Sequence, residues 1–160
     1  MLTVEQYNRS TFEHDAEYVD GNIVERSMPT TPHSLMQTFL SFILFTHGAV
    51  MTEQRIRIRD RLYRIPDVCF TLKVPREQVL THPPYLCIEI ISPDDSAKTL
   101  RDKVSDYLSF GVDYVWVIDP ETYSGEVYTQ STTTRITDGI FRAGHIEVDV
   151  RMVPKPDDQD

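Results

Sequence analysis

The sequence has few cysteines and no long apolar segment. Its two cysteines, Cys69 and Cys87, stand inside apolar runs and have neither the spacing of a zinc site nor that of a disulfide framework. This pattern favours buried thiols in a reducing compartment. The longest uninterrupted apolar run, Tyr114–Ile118, has five residues, whereas a membrane-spanning helix needs about 20. A disulfide scaffold and an integral membrane helix are therefore excluded.

Glycine is also scarce, with six residues in the chain, and no glycine-rich phosphate loop is present. The segment EIISPDD around Ser92 lacks the glycines of a nucleophile elbow, which argues against serine hydrolase chemistry. The first ten residues, MLTVEQYNRS, have no basic start followed by an apolar block, so no secretory signal is expected. A cytoplasmic protein without membrane contact is the expectation.

Acidic residues outnumber basic ones by 25 to 16, which gives a net charge of −9. That sign disfavours nucleic-acid binding on average, because neutralised phosphates supply most non-specific affinity. The charge is segregated, however, since residues 55–64 (RIRIRDRLYR) hold five arginines and one acid. Arg55, Arg57 and Arg59 lie either on a solvated strand face or on a surface that binds phosphates.

The length of 160 residues, of which 40% are hydrophobic, fits one domain. We expect a single domain over residues 1–153 and an acidic, disordered tail over residues 154–160. Asp20-Gly21 lies between alternating runs and predicts a β-hairpin over residues 17–26.

Apolar spacing predicts helices over residues 33–47 and 96–110. A short helix over residues 1–12 is predicted mainly because Thr3 and Gln6 have the spacing of a capping box. Phe42 and Phe45 broaden the apolar face of the second helix and predict its burial on more than one side. Gly111 is the expected C-cap of the third helix.

Strands are predicted over residues 56–58, 67–72, 85–91, 114–119 and 126–130, the last as an antiparallel edge strand. The third predicted strand, the third helix and the fourth strand form a strand–helix–strand unit, which usually makes a parallel crossover. The chain is therefore predicted to have an α/β fold in which helices flank a mixed β-sheet.

Two predicted core strands each carry an acid, although burying an isolated carboxylate is costly. Asp67 begins one apolar run, and Glu89 lies near the end of another. Because side chains alternate along a strand, Asp67 shares a face with Cys69, and Glu89 shares one with Cys87. If the strands are neighbours in suitable register, the carboxylates converge and offer the oxygen donors that Mg²⁺ prefers. The alternative is that each acid pairs with an arginine.

Lys103 follows Glu89 on the next predicted helix, one position before Val104 in the apolar stripe. A lysine at the margin of such a stripe can extend its ammonium along the sheet to the carboxylates. The alternative is an ordinary solvated lysine. Lys98 fits the first role less well, because it projects roughly opposite Leu100.

Several motifs in order carry a family resemblance: EYVDGNIV (17–24), His33, PD (66–67), EIISP (89–93), KVSDY (103–107) and GVDYVWVIDP (111–120). Together they resemble the Uma-type restriction endonuclease family of the PD-(D/E)XK nuclease superfamily, over roughly residues 12–130. The resemblance implies a restriction-endonuclease-like core of helix, mixed sheet, helix and strand. It also implies that Asp67, Glu89 and the backbone carbonyl of Ile90 bind Mg²⁺ or Mn²⁺.

The superfamily usually has a lysine two residues after the second acid, and this chain has Ile91 there. Uma-type sequences commonly show this departure, with the lysine on the next helix, where Lys103 matches. The resemblance further implies that Glu17 or His33 completes the catalytic site.

The function expected from the resemblance is metal-dependent hydrolysis of DNA phosphodiester bonds. Arg55, Arg57 and Arg59 would hold the phosphate backbone, and a homodimer would let two sites address two strands. The alternative is a catalytically inactive binding module with a nuclease fold, which should tolerate Asp67→Asn or Glu89→Gln.

Overall fold

A computed structural model describes residues 1–156 of the chain. Its helices are α1 (Val4–Arg9), α2 (Thr31–Phe45) and α3 (Ala97–Phe110). Its strands are β1 (Ala16–Val19), β2 (Asn22–Glu25), β3 (Ala49–Thr52), β4 (Ile56–Arg59), β5 (Leu62–Arg64), β6 (Val68–Thr71), β7 (Leu86–Ile90), β8 (Tyr114–Ile118), β9 (Gly125–Tyr128), β10 (Thr133–Ile136), β11 (Ile140–Ala143) and β12 (Ile146–Asp149). The single domain over 1–153 and the tail over 154–160 stay predictions, and residues 157–160 lie outside the described residues.

The helix ends follow local capping chemistry. Thr3 and Gln6 form the predicted capping box of α1, which is shorter than the predicted helix over residues 1–12. The Ser96 side chain accepts a hydrogen bond from the backbone of Thr99 and starts α3. Gly111 ends α3 in the left-handed region, with φ of 108°.

A six-stranded mixed sheet, in the order β10-β9-β8-β7-β6-β3, forms the centre of the fold. β7 and β8 are parallel and are joined through α3, while the other neighbours are antiparallel. The predicted α/β class and strand–helix–strand unit are confirmed. The prediction that β9 is an edge strand is wrong, because β10 pairs with its outer side.

Alternation along the strands gives this sheet two buried faces. One face carries Phe70, Ile88 and Trp116 and packs against α2 and the two-stranded sheet of β11 and β12. The other face carries Cys69 and Cys87 and packs against α3. Both cysteines are free and buried, as the sequence predicts, and burial raises the pKa of the Cys69 thiol to about 12.

A second, four-stranded sheet in the order β2-β1-β5-β4 contains the predicted hairpin. Tyr7 of α1 packs against Tyr18 and Tyr63 of this sheet. Ile56 of β4 belongs to the same apolar cluster as Val104 and Tyr107 of α3. This contact places the second sheet beside α3 and brings the hairpin to the end of β7.

The prediction that α2 is buried on more than one side is wrong. Phe42 and Phe45 are each 72% exposed, whereas Met36, Leu40 and Leu44 on the opposite stripe are fully buried. The helix therefore packs on one side only.

Within residues 1–156, no helix is both long and apolar enough to cross a membrane.

Candidate active site

The register between β6 and β7 brings the two acids together. Val68 pairs with Ile88 in this antiparallel ladder, so one further step sets Asp67 opposite Glu89. Their residues are 2% and 3% exposed, respectively, and both line a cavity of about 440 Å³. The convergence of the carboxylates expected from strand alternation is thus present in the structure.

Asp67 is held by three groups from three parts of the chain. Its Oδ2 accepts a 2.6 Å hydrogen bond from the backbone N–H of Ile90. Its Oδ1 contacts the guanidinium of Arg26 and lies 3.2 Å from Nε2 of His33. Burial by itself raises the pKa of Asp67, but the His33 hydrogen bond and the Arg26 charge outweigh it, so the pKa lies below its usual range.

Glu89 is held by two side chains of α3. Tyr107 donates a 2.6 Å hydrogen bond to Oε1, and the ammonium of Lys103 lies 3.4 Å from Oε2. Burial raises the pKa of Glu89 to about 7 against the opposing charge of Lys103, and Asp67 adds repulsion in the same direction as burial. Additional positive charge beside Glu89 would favour its ionised form.

Lys103 reaches the acids because it stands at the margin of the buried stripe of α3. Its side chain is 11% exposed and its Nζ also lies 3.7 Å from Oε1 of Glu17. Lys98, by contrast, pairs with Asp102 on the exposed face of the same helix at 2.6 Å. The structure therefore gives Lys103, and not Lys98, the position expected from the sequence.

Glu17 belongs to the hairpin and is fully engaged by protein groups. Its Oε2 lies 2.8 Å from Nη1 of Arg64, and its Oε1 accepts a 2.9 Å hydrogen bond from the backbone of Ile65. Arg64 also lies 2.7 Å from Asp106 on α3. Glu17 thereby fixes the hairpin sheet to the helix that carries Lys103.

His33 enters the cavity from the first turn of α2. Thr30 caps this helix by accepting a hydrogen bond from the backbone of His33. Nε2 of His33 faces Asp67, while its buried Nδ1 has no hydrogen-bond partner within residues 1–156. The ring therefore orients Asp67 through one nitrogen only.

Residues 4–150 match the family model Uma2, described as "Putative restriction endonuclease". The chain belongs to the Uma2 family. Its fold is similar to that of a putative nuclease of the DUF820 group from Anabaena variabilis ATCC 29413, with a TM-score of 0.84. The two share 22% identity, and the match covers 96% of this chain and 97% of the other. No curated protein matches the chain.

The predicted family and restriction-endonuclease-like fold are therefore confirmed. Membership of the Uma2 family supports a nuclease function and with it a nucleic-acid substrate, and restriction-endonuclease-like families generally use divalent metals. The identity of the metal and the roles of individual residues belong to the proposal below.

Two cations of the Uma2 site were missed by sequence reasoning. Arg26 ends the predicted hairpin, where no periodicity marks it, and it contacts Asp67. Arg64 ends β5 and joins Glu17 to α3. The role of Tyr107 at Glu89 was also missed, although its spacing of four residues from Lys103 is a signal that both share one helical face.

The arginine strip formed by Arg55, Arg57 and Arg59 lies away from the acids. Among the described residues that line the 440 Å³ cavity, none belongs to the strip. Arg59 forms a bidentate pair with Asp20 at 2.7 and 2.9 Å, and Arg55 lies 6.0 Å from the Tyr7 ring centroid. Arg55 lines a neighbouring cavity of about 280 Å³, which shares some of its walls with the first.

The donors in the Uma2 cavity fit a magnesium-like ion. Mg²⁺ is usually bound by one or two carboxylates together with water and substrate phosphate. Asp67, Glu89 and Ile90 line one cavity and supply oxygen donors of this kind. Within residues 1–156, no group of three or more His, Cys, Asp or Glu side chains is arranged to hold a metal. Two carboxylates and one carbonyl suit an ion that keeps several water ligands.

Proposed function

We propose that this Uma2 protein is a metal-dependent endonuclease that hydrolyses phosphodiester bonds of DNA. The observation that carries the proposal is the pairing of Asp67 and Glu89 across β6 and β7, with Lys103 against Glu89 in one cavity. Opposed carboxylates and an adjacent ammonium are the groups that metal-assisted phosphate hydrolysis needs.

In this proposal Asp67, Glu89 and the carbonyl of Ile90 hold Mg²⁺ or Mn²⁺. The bound ion would lower the pKa of a water molecule and polarise the scissile phosphate. Lys103 orients the attacking water and stabilises the charge that develops on the phosphate oxygens. The water oxygen forms the new bond to phosphorus as the water loses a proton to solvent, and the bond from phosphorus to the leaving sugar oxygen breaks as that oxygen takes up a proton from solvent.

Glu17 and His33 position the groups that act. Glu17 lies 3.7 Å from the Lys103 ammonium, so it limits where that charge can move. His33 holds Oδ1 of Asp67 from the side of α2. Both residues are buried, which favours a single arrangement of the acids and the lysine.

The strip of Arg55, Arg57 and Arg59 is proposed to bind the DNA backbone outside the cavity. Arg55 lines the neighbouring cavity, while Arg57 and Arg59 are exposed on β4. Positive side chains there would offset the acidic net charge where the phosphates approach. A cytoplasmic location and a homodimer stay predictions.

A second candidate, an inactive binding module, is favoured by one observation. Each acid already has a protein cation, since Arg26 contacts Asp67 and Lys103 lies beside Glu89. In that case the two carboxylates would serve only as ion-pair partners within the fold, as in the alternative in which each acid pairs with an arginine.

Calorimetric titration with Mn²⁺ separates the two candidates. We expect the wild type to bind Mn²⁺ and the Asp67→Ala/Glu89→Ala variant to lose that binding. The matched control is Glu121→Ala/Glu147→Ala, which removes two exposed acids and should bind as the wild type does. Nicking of supercoiled DNA with Mg²⁺ should follow the same pattern. Weak Mn²⁺ binding that survives the loss of both acids would support the binding module.

A further inference from the structure

Arg26 is a partly buried cation whose place in the site is not explained by holding the fold together. It directly follows β2, and its backbone N–H donates a 3.0 Å hydrogen bond to the carbonyl of Asp15. Its side chain is 13% exposed and lines the same cavity as Asp67. The guanidinium contacts Oδ1 of Asp67, and its distance to Glu53 is 3.8 Å.

Two further cations of the site, Arg64 and Lys103, are buried and differently placed. Arg64 is bound on both sides, by Glu17 and Asp106, and does not line the cavity among the described residues. Lys103 lies between Glu89 and Glu17. Among these three cations, only Arg26 contacts a carboxylate oxygen of Asp67.

A divalent ion and Arg26 therefore compete for Asp67. Oδ2 accepts the N–H of Ile90, and Oδ1 faces Arg26 and His33. Two positive charges at one carboxylate oxygen repel each other strongly in a buried site. An ion that binds Asp67 has to displace the guanidinium from Oδ1.

A displaced guanidinium would stay in the cavity, and the N–H groups that it had directed at Asp67 would be free to donate hydrogen bonds to another acceptor. The backbone of Arg26 is fixed by its bond to Asp15, and Glu53 at 3.8 Å is too far for a hydrogen bond. Glu53 is also half exposed, so its attraction is weakened by solvent. The planar fork of arginine matches two oxygens of a phosphate, and the substrate phosphate would occupy this cavity.

We propose that Arg26 is a phosphate-binding residue that Asp67 holds in place until a divalent ion takes that carboxylate. This inference rests on the proposed metal-dependent function and adds a residue to it. It makes Arg26 a competitor of the ion and a partner of the substrate.

The competition between Arg26 and the ion for Asp67 is tested with Mn²⁺ alone, by calorimetry. Arg26→Met keeps an unbranched side chain and removes the charge, so Mn²⁺ should bind about tenfold more tightly than to the wild type. Arg26→Lys should fall between them. The control is Arg135→Met, which removes an exposed arginine of β10 and should leave the affinity unchanged. Equal Mn²⁺ affinity in the wild type and Arg26→Met would overturn the proposal.

Phosphate binding by Arg26 is tested with inorganic phosphate at saturating Mg²⁺. We expect Arg26→Met to weaken phosphate binding by about tenfold or more, since a charged two-point contact is lost. Tighter metal binding with unchanged phosphate binding would make Arg26 a structural counter-ion and overturn the proposal. If Arg26→Met does not fold, Arg26→Lys keeps the charge without the fork and should weaken phosphate binding several-fold. Phosphate binding by Arg26→Lys equal to that of the wild type would then overturn it.

Asp67→Asn separates this inference from the function on which it rests. If Asp67→Asn leaves Mn²⁺ affinity unchanged, the proposed metal site itself fails. If Asp67→Asn abolishes Mn²⁺ binding while Arg26→Met changes neither affinity, only the inference about Arg26 fails.

Discussion

The hydroxyl of Tyr107 donates a 2.6 Å hydrogen bond to Oε1 of Glu89. Lys103, one helical turn earlier on α3, lies against the other oxygen of the same carboxylate. A single helical face thus holds both oxygens of Glu89. Two contacts on one carboxylate fix its rotation as well as its position, which preorganises it for binding an ion.

Tyr107→Phe is expected to lower the free energy of unfolding by about 2 kcal/mol at pH 8, because hydrogen bonds to charged groups are worth more than neutral ones. Tyr18→Phe is the matched control. That tyrosine is equally buried, but its hydroxyl donates to the backbone carbonyl of Leu2 at 2.8 Å. Its loss should cost about 1 kcal/mol. Urea denaturation measures both, and equal losses would show that Tyr107 does not bond to an ionised carboxylate.

Lys103→Ala should reduce DNA cleavage by roughly 100-fold or more, since a charged donor to the transition state is removed. Lys98→Ala is the control on the same helix, because Lys98 is exposed and pairs only with Asp102. It should cleave at the wild-type rate. The rates are compared on supercoiled plasmid with Mg²⁺, and equal activity in the two variants would remove Lys103 from the mechanism.

The parts of the site that sequence reasoning found depend on short-range periodicity. Asp67 and Glu89 each follow from the two-residue alternation of one strand, and Lys103 follows from its place at the edge of a helical stripe. Their meeting needed only that β6 and β7 be neighbours. Because β6 and β7 are consecutive in the sequence and are neighbours in the sheet, the prediction required little knowledge of the tertiary structure.

The parts that it missed depend on how the two sheets meet. Arg26 and Arg64 lie at strand ends of the hairpin sheet, and their partners are on β6 and α3. No periodicity of one segment indicates a contact that forms only when two sheets dock. Strands β10 to β12 were also missed, although in β12 the apolar residues Ile146 and Val148 alternate with Glu147 and Asp149, which is a signal of a half-buried strand.

Phe42 and Phe45 do not give α2 a second buried side, because an apolar residue at helical spacing is not necessarily buried. Phe42→Gln and Phe45→Gln should each change the free energy of unfolding by less than about 0.5 kcal/mol, as for exposed sites in general. Leu40→Ala on the buried stripe should cost about 2–5 kcal/mol. Chemical denaturation of the three variants tests this, and a cost of several kcal/mol for Phe42→Gln would mean that its ring is covered.

Divalent metal should stabilise the folded protein, because an ion that binds only the native state shifts the unfolding equilibrium. At a free Mn²⁺ concentration 100 times the Kd, the wild type should gain about 2.7 kcal/mol. A chelator should reverse the gain. Thermal unfolding with and without Mn²⁺ measures it directly.

The same titration on variants locates the ion. Asp67→Asn and Glu89→Gln keep the size of each side chain but remove its charge, so neither should gain stability from Mn²⁺. Glu121→Gln changes an exposed acid in the same way and should gain as much as the wild type. A gain of wild-type size in Asp67→Asn would place the ion away from β6 and β7, since only a ligand outside this carboxylate could then hold it.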